Sequence, residues 1–241
     1  MTTYLIVLFV GLAAGVLSGI VGFGSSIMLM PVLVIAFGPR EAVPIMAVAA
    51  VMGNLSRVAV WWREIDWRVV GAYVITGAPC SALGARTLLI LPPRVVEASL
   101  AVFFIAMIPL RQWLMEKKIK LKLWQLSVIA AFIGFITGIV VSTGPINVPF
   151  FLAYGLVKGA FIGTEAMSSL TVFVTKAIVF RSFGFLPLSA IGQGLIIGAS
   201  LMAGAYIAKG YVLRLDAAKF RRLMDALLLV SGLTMLWAAL K

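Results

Sequence analysis

Residues 11–34 read GLAAGVLSGIVGFGSSIMLMPVLV. Leu, Val, Ile and Met fill most of this stretch, yet Gly22, Gly24, Ser25, Ser26 and Pro31 interrupt it. In hydrocarbon every backbone N–H and C=O has to be satisfied within the protein. A helix is therefore broken at membrane depth only where the break is buried or lines a cavity. The reading of the fold turns on this interruption, so the first question is whether the stretch lies in a membrane at all.

The rest of the chain says that it does. The 241 residues are 63% hydrophobic and only 12% charged, against about 25% charged in a typical soluble domain. Mean hydropathy is +1.14. Apolar runs recur from end to end, each near the roughly 20 residues that cross a bilayer core of about 30 Å. This is an all-α polytopic membrane protein with almost no extramembrane mass. The first run, from Tyr4, has no basic n-region and no clear cleavage site, so it reads as a retained membrane segment.

The formal charge of +12 would suggest nucleic acid in a soluble protein. Here Lys and Arg cluster between the apolar runs, which is the positive-inside bias of membrane loops. Cys80 is the single cysteine and there is no histidine, which removes an internal disulfide, zinc sites and His-based nucleophile pairs. No phosphate-binding Gly-Lys-Ser/Thr loop is present. The expectation is a non-enzyme with no metal and no cofactor. Its partners are the lipid bilayer and a small anion, not nucleic acid, with a homodimer left open.

Along the chain, Tyr4–Phe37 is apolar but broken near Gly22–Ser26, and Ala42–Trp62, Val69–Leu91 and Val95–Leu114 follow as plain spans. A basic linker, EKKIKLK at 116–122, comes next. Leu123–Val157 is apolar but broken at Ser142–Pro149 (STGPINVP), and Ala160–Phe180, Leu188–Ala208 and Phe220–Ala239 complete the chain. The same order thus occurs twice. Local matches support a repeat: Gly11 and Gly15 parallel Gly134 and Gly138, Arg57 before AVW parallels Lys176 before AIVF, and Gly77 and Gly84 parallel Gly198 and Gly204. All offsets are about 120 residues, as a repeat requires. The predicted organisation is repeat 1 over 1–115, a cytoplasmic linker over 116–122 and repeat 2 over 123–241.

Basic residues orient the halves. If each broken segment crossed the membrane once, the linker with Lys117, Lys118, Lys120 and Lys122 would lie opposite the loop with Lys209, Arg214, Lys219, Arg221 and Arg222. If each broken segment enters and returns on its own side, both basic loops become cytoplasmic, with Arg63, Arg68 and Lys158 beside them. The positive-inside rule selects the second arrangement. The expected fold is two inverted repeats, each a broken or re-entrant helix plus three transmembrane helices.

Inverted repeats bring two such breaks together near the bilayer midplane, where transporters of this architecture bind substrate. A helix restarting there aims N–H groups and a positive dipole end at the gap, which suits an anion. Gly22, Gly24, Ser25 and Ser26 precede one restart, and Ser142, Thr143, Gly144 and Asn147 accompany the other. Arg57 and Lys176 are cations inside apolar spans at equivalent places. Such residues face a cavity or a partner, the competing reading being snorkelling to the interface. Asn54 is one turn from Arg57, and Thr175 adjoins Lys176, each a candidate hydrogen-bonding group for the anion. Glu165, about three turns before Lys176 on the same face, is a candidate coupling acid. The alternative is that it pairs with Lys158 at the cytoplasmic end. Trp61, Trp62, Trp67, Trp113 and Trp124 read as interfacial anchors.

The first broken stretch resembles the leading signature of the TauE/SafE sulfite exporter family, also called the toluenesulfonate uptake permease family. Gly11, Gly15, Gly19, Gly22, Gly24 and Pro31 fit its Gly-rich spacing, and Gly77–Arg86 (GAPCSALGAR) is similar to its later Gly-Ala-Arg segment. STGPINVP departs from the family's second Gly-rich stretch. The resemblance implies a multi-pass secondary transporter of the bacterial inner membrane moving sulfite, organosulfonates such as sulfoacetate, or related anions. An anion-selective channel, or a carrier of a non-sulfur organic anion, is the alternative.

Overall fold

A computed structural model describes residues 2–21, 24–92, 120–140 and 143–208, with single positions at 95, 98, 99, 102, 105, 106, 109, 113, 229 and 233. Gly22, Ser142, Lys117, Lys118, Glu97, Asp225 and most of the spans 95–114 and 220–239 lie outside the described residues.

Among the described residues the chain is all helical, with no strand. The helices are α1 (Thr2–Val21), α2 (Ser25–Phe37), α3 (Pro39–Trp61), α4 (Trp67–Ile90), α5 (Leu123–Ile139), α6 (Gly144–Tyr154), α7 (Lys158–Ser182) and α8 (Leu188–Ala208), and a 3-10 turn (Trp62–Glu64) follows α3. Helices α3, α4, α7 and α8 are long and apolar enough to cross a membrane, while α1, α2 and α5 contain shorter apolar stretches.

Both interruptions are real breaks. Gly24 holds φ at 108°, a left-handed conformation that residues with a Cβ rarely adopt, and α2 restarts one residue later. In the second half α5 ends where Val140 turns extended. Helix α6 then opens with the N–H groups of Ile146 and Asn147 donating to the Thr143 carbonyl at 2.9 and 3.0 Å. In both halves the arm before the break is the longer, 20 and 17 residues against 13 and 11. The second broken segment also turns back on itself. The N–H of Leu121, just ahead of α5, donates to the carbonyl of Ala153 near the end of α6 at 3.0 Å.

Contacts between the halves fix the helix directions. Trp61 lies by Gly159 and Gly163, Arg57 by Glu165, and Val48 and Val51 share a cavity wall with Val174 and Ile178. Helices α3 and α7 are therefore antiparallel. Ser127 meets Ala72 and Thr76, Gly134 meets Gly77 and Gly138 meets Gly84, so α4 and α5 run parallel. Gly11 meets Ser200 and Gly15 meets Leu201 and Gly204, so α1 and α8 run parallel too. The packing of α5 on α4 is thus repeated, with the halves exchanged, by α1 on α8.

These parallel pairs are held by missing side chains. A Cβ on Gly138 would meet backbone atoms of Ser81, Gly84 and Ala85, and one on Gly15 would meet the backbone of Leu201. Small residues four apart let helix backbones approach this closely in lipid, where no hydrophobic effect drives helices together. Reciprocal bonds from Thr76 Oγ1 to the Ser127 carbonyl (2.6 Å) and Ser127 Oγ to the Ala72 carbonyl (2.5 Å) add to the α4–α5 seam.

One end of the molecule collects basic and aromatic groups. Glu64 approaches Gly159, the Asp66 N–H donates to Thr164 Oγ1 at 2.9 Å, and Trp61, Leu123, Tyr154 and Phe161 pack in one cluster. Arg63 and Arg68 are exposed at this end, as are Lys120 and Lys122. Trp62, Trp67 and Trp124 are about half exposed or more there, as interfacial anchors are. At the opposite end Arg86 stacks over the Phe183 ring at 5.5 Å.

Candidate functional site

Helices α3 and α7 cross between the two broken segments, and the crossing holds the buried charges. Arg57 on α3 is 7% exposed and Lys176 on α7 is 0% exposed. Neither snorkels to an interface. Arg57 Nη1 donates to Glu165 Oε2 at 3.0 Å, a salt bridge between elements 108 residues apart. Arg57 Nη2 donates to Asn54 Oδ1, and Asn54 Nδ2 donates to the Ala50 carbonyl at 2.7 Å. Arg57 Nε is buried and has no partner among the described residues.

Glu165 is 2% exposed, and its second oxygen accepts from Ser169 Oγ at 2.7 Å. The pairing weighed for Glu165 from sequence was Lys158. The structure gives it Arg57 instead, because antiparallel packing of α3 on α7 brings the last turns of one beside the first turns of the other. Tyr73, reaching in from α4, donates to Asn147 Oδ1 at 2.9 Å. Asn147 stands in the first turn of α6, with its side chain near the Glu165 carboxylate. Polar side chains from α3, α4, α6 and α7 thus gather around Arg57 and Glu165.

Lys176 serves a different group. Its Nζ donates to the carbonyls of Thr137 and Val140 at 2.8 and 2.7 Å. These carbonyls lie at the C-terminal end of α5, which has no helical partner for them and carries the negative end of the helix dipole. The ammonium closes that end. An ammonium has three donors, and two are taken by these carbonyls. Across the same break Thr137 Oγ1 and Thr143 Oγ1 share a hydrogen bond at 2.5 Å.

Of the residues singled out from sequence, the structure joins Asn54, Arg57 and Glu165 by hydrogen bonds and sets Asn147 close by. It places Thr143 and Lys176 together at the second break. Gly144 begins α6 between the two groups. Ser25 and Ser26 open α2, with Ser26 buried and Gly24 just before them, on a helix that packs against α1 and α3. Thr175 turns its hydroxyl to the Thr171 carbonyl of its own helix at 2.9 Å. Gly22 and Ser142 are outside the described residues. Sequence reasoning passed over Tyr73 and Thr137. The one available signal for each was a polar tip in an apolar run, which many membrane helices carry.

A cavity of about 470 Å³ opens elsewhere, between the middle of α3, the last turns of α7 and the start of α8. Val48, Val174, Ile178 and Ile191 line it, with Arg181 the one charge among the described residues of its wall. Those described residues offer none of the clustered donors an anion needs.

The family model for the sulfite exporter TauE/SafE matches residues 7–235, nearly the whole chain. The chain belongs to the TauE/SafE sulfite exporter family. No curated protein and no solved structure matches it. TauE/SafE membership makes the chain a multi-pass membrane protein of the anion-exporter type, in a family of transporters and not of enzymes. In TauE/SafE terms, the leading Gly-rich signature is the α1–α2 break at Gly24, and the Gly77–Arg86 segment is the face of α4 that receives α5.

Proposed function

We propose that this protein is a secondary transporter of small sulfur-containing anions, sulfite or organosulfonates such as sulfoacetate, in the bacterial inner membrane. It works by alternating access, with the anion held between the two broken helices. The observation that carries this reading is Arg57: a guanidinium in a membrane-spanning helix, 7% exposed, with Nε uncommitted. A permanently charged group at that depth is retained where it meets a charged partner or ligand, and a guanidinium fork matches the oxygens of a sulfonate. The proposed contacts are Arg57 and Asn54 on α3, Lys176 and Thr175 on α7, and the two restarts. Those are Gly22, Gly24, Ser25 and Ser26 at α2, and Ser142, Thr143, Gly144 and Asn147 at α6. No metal or cofactor enters the cycle.

The halves 1–115 and 123–241 are proposed as inverted repeats joined by a cytoplasmic linker at 116–122. The opposed directions of α3 and α7, and the exchange of α5-on-α4 for α1-on-α8, support this. So does the return of α6 to the start of α5. The 11 residues of α6 rise about 16 Å, roughly half the hydrocarbon thickness, which fits a break at mid-depth. Single cysteines placed within 117–122 and 214–222, in a Cys80→Ser background, are expected to resist labelling from outside in intact cells. Labelling of one loop alone overturns the inversion.

Titrating sulfite and sulfoacetate into purified protein, with acetate as the carboxylate control, tests the substrate class through thermal stabilisation. Arg57→Ala and Lys176→Ala are each expected to weaken binding. One charge-assisted hydrogen bond is worth about 1.5–3 kcal/mol, which is roughly tenfold to a hundredfold in Kd. Arg57→Lys should be milder. Unchanged affinity in both alanine variants removes these cations from the site.

A further inference from the structure

Glu165 sits where a substrate anion belongs. Its Oε2 takes Arg57 Nη1 at 3.0 Å and its Oε1 takes Ser169 Oγ at 2.7 Å. Among the described residues two donors nearby are buried and unpartnered: Nε of Arg57 itself, and Ser168 Oγ about one turn along α7 from Glu165. A sulfonate that grips Arg57 through Nε would share the guanidinium with Glu165, which holds Nη1. Two anions beside one guanidinium in a site shut from water is a costly arrangement, so the carboxylate has to be neutralised as the substrate enters.

We propose that Glu165 is a proton-coupling acid that competes with the substrate anion for Arg57, so that each anion moves together with one proton. This rests on the anion-transport reading above. A proton from the open aqueous side adds to the Glu165 carboxylate, and the neutral acid keeps its contact with Ser169. Arg57 loses its counter-charge, and the anion takes its place at the guanidinium through N–H groups that include Nε. After the site opens to the other side the anion leaves, the proton leaves Glu165, and the carboxylate returns to Arg57. One proton and one anion cross in the same direction, and no covalent bond changes other than O–H.

The stoichiometry follows from an asymmetry. The offset that carries Arg57 to Lys176 carries Glu165 back to Met46, which is buried and apolar. The equivalent place in the first half therefore has no acid. Among the described residues the charged and titratable groups that face Glu165 are Arg57 from α3 and Tyr73 from α4, with the neutral Asn147 from α6 and Ser169 from α7. Asp66 is turned to the start of α4, where it accepts from the N–H groups of Arg68 and Val69. Glu64 lies by Gly159 at the basic end, and Lys176 is three turns away on α7, its ammonium bonded to carbonyls at the end of α5.

The test uses the full chain in proteoliposomes, with labelled sulfite and, in parallel, labelled sulfoacetate. The charges of sulfoacetate stay fixed near neutral pH, so any proton that accompanies it is carried by the protein. Counterflow needs no coupling and reports the transport reading alone. Wild type should show counterflow, accumulate anion along an imposed pH gradient, and acidify a pyranine-loaded lumen when anion enters at zero potential. Glu165→Gln mimics the protonated acid. It should keep counterflow, lose gradient-driven accumulation and lose the pyranine signal. Counterflow in Glu165→Gln also certifies that the variant is folded. If that variant does not fold, wild-type acidification with sulfoacetate decides the matter alone. Wild-type entry of sulfoacetate without acidification, or gradient-driven accumulation unchanged in Glu165→Gln, overturns the coupling and leaves the transporter standing. Absence of counterflow for both anions in wild type overturns the transport reading itself.

Discussion

Glu165→Ala is expected to lower the stability of the purified protein by about 3–5 kcal/mol, because it leaves the Arg57 guanidinium buried without its counter-charge. Arg57 is 7% exposed and makes no other ionic contact among the described residues. Adding Arg57→Met to a Glu165→Leu chain should recover most of the loss, since a buried ion pair replaced by apolar residues of similar volume is often neutral or better. Thermal unfolding in detergent of the wild type, both single variants and the double variant gives the coupling directly. The recovered double variant should be stable but unable to bind anion. If Glu165→Ala unfolds at the wild-type temperature, the pair is not a desolvated one and its role at the α3–α7 crossing is lost.

A methyl group on Gly138 is expected to be nearly as damaging. Its Cβ would overlap the Ser81 carbonyl oxygen, the Ala85 nitrogen and Gly84 Cα. These are backbone atoms of a facing helix, so no rotamer change relieves the clash, and α4 and α5 have to separate. Overpacking typically costs 1–3 kcal/mol and occasionally more. The upper end, about 3 kcal/mol, is expected for Gly138→Ala because the obstruction is backbone. The hydrogen bonds between Ser127, Ala72 and Thr76 in the same seam would lengthen as the helices part. Gly71→Ala on α4 is the matched control. Nothing lies within 4 Å of its added Cβ, and alanine gains up to about 1 kcal/mol over glycine inside a helix. Melting temperatures of the two variants should therefore move in opposite directions. Equal shifts would show that the α4–α5 approach is looser than described.

Much of the architecture was legible because it is written locally. An apolar run of about 20 residues declares a membrane helix wherever its neighbours lie. Glycine and proline mark a broken helix through their own backbone restrictions. The breaks at Gly24 and at 140–143, the plain spans α3, α4, α7 and α8, and the glycines of the parallel seams are all of this kind. The paired offsets of Arg57 with Lys176, and of Gly77 with Gly198, were countable without any coordinates.

Partner choice was not local, and there the tertiary structure decided. Arg57 meets Glu165 only because α3 and α7 pack antiparallel, and sequence distance gave Lys158 the better claim on that acid. Lys176 matches Arg57 in position but has no carboxylate, and instead closes the carbonyl end of α5 at Thr137 and Val140. Two cations at matching sequence offsets thus have different partners. Sequence sets where each stands along its helix. Which buried group lies opposite depends on helix direction and on where the facing helix breaks, because a charge taken out of water pairs with whatever acceptor the packing brings within about 3 Å.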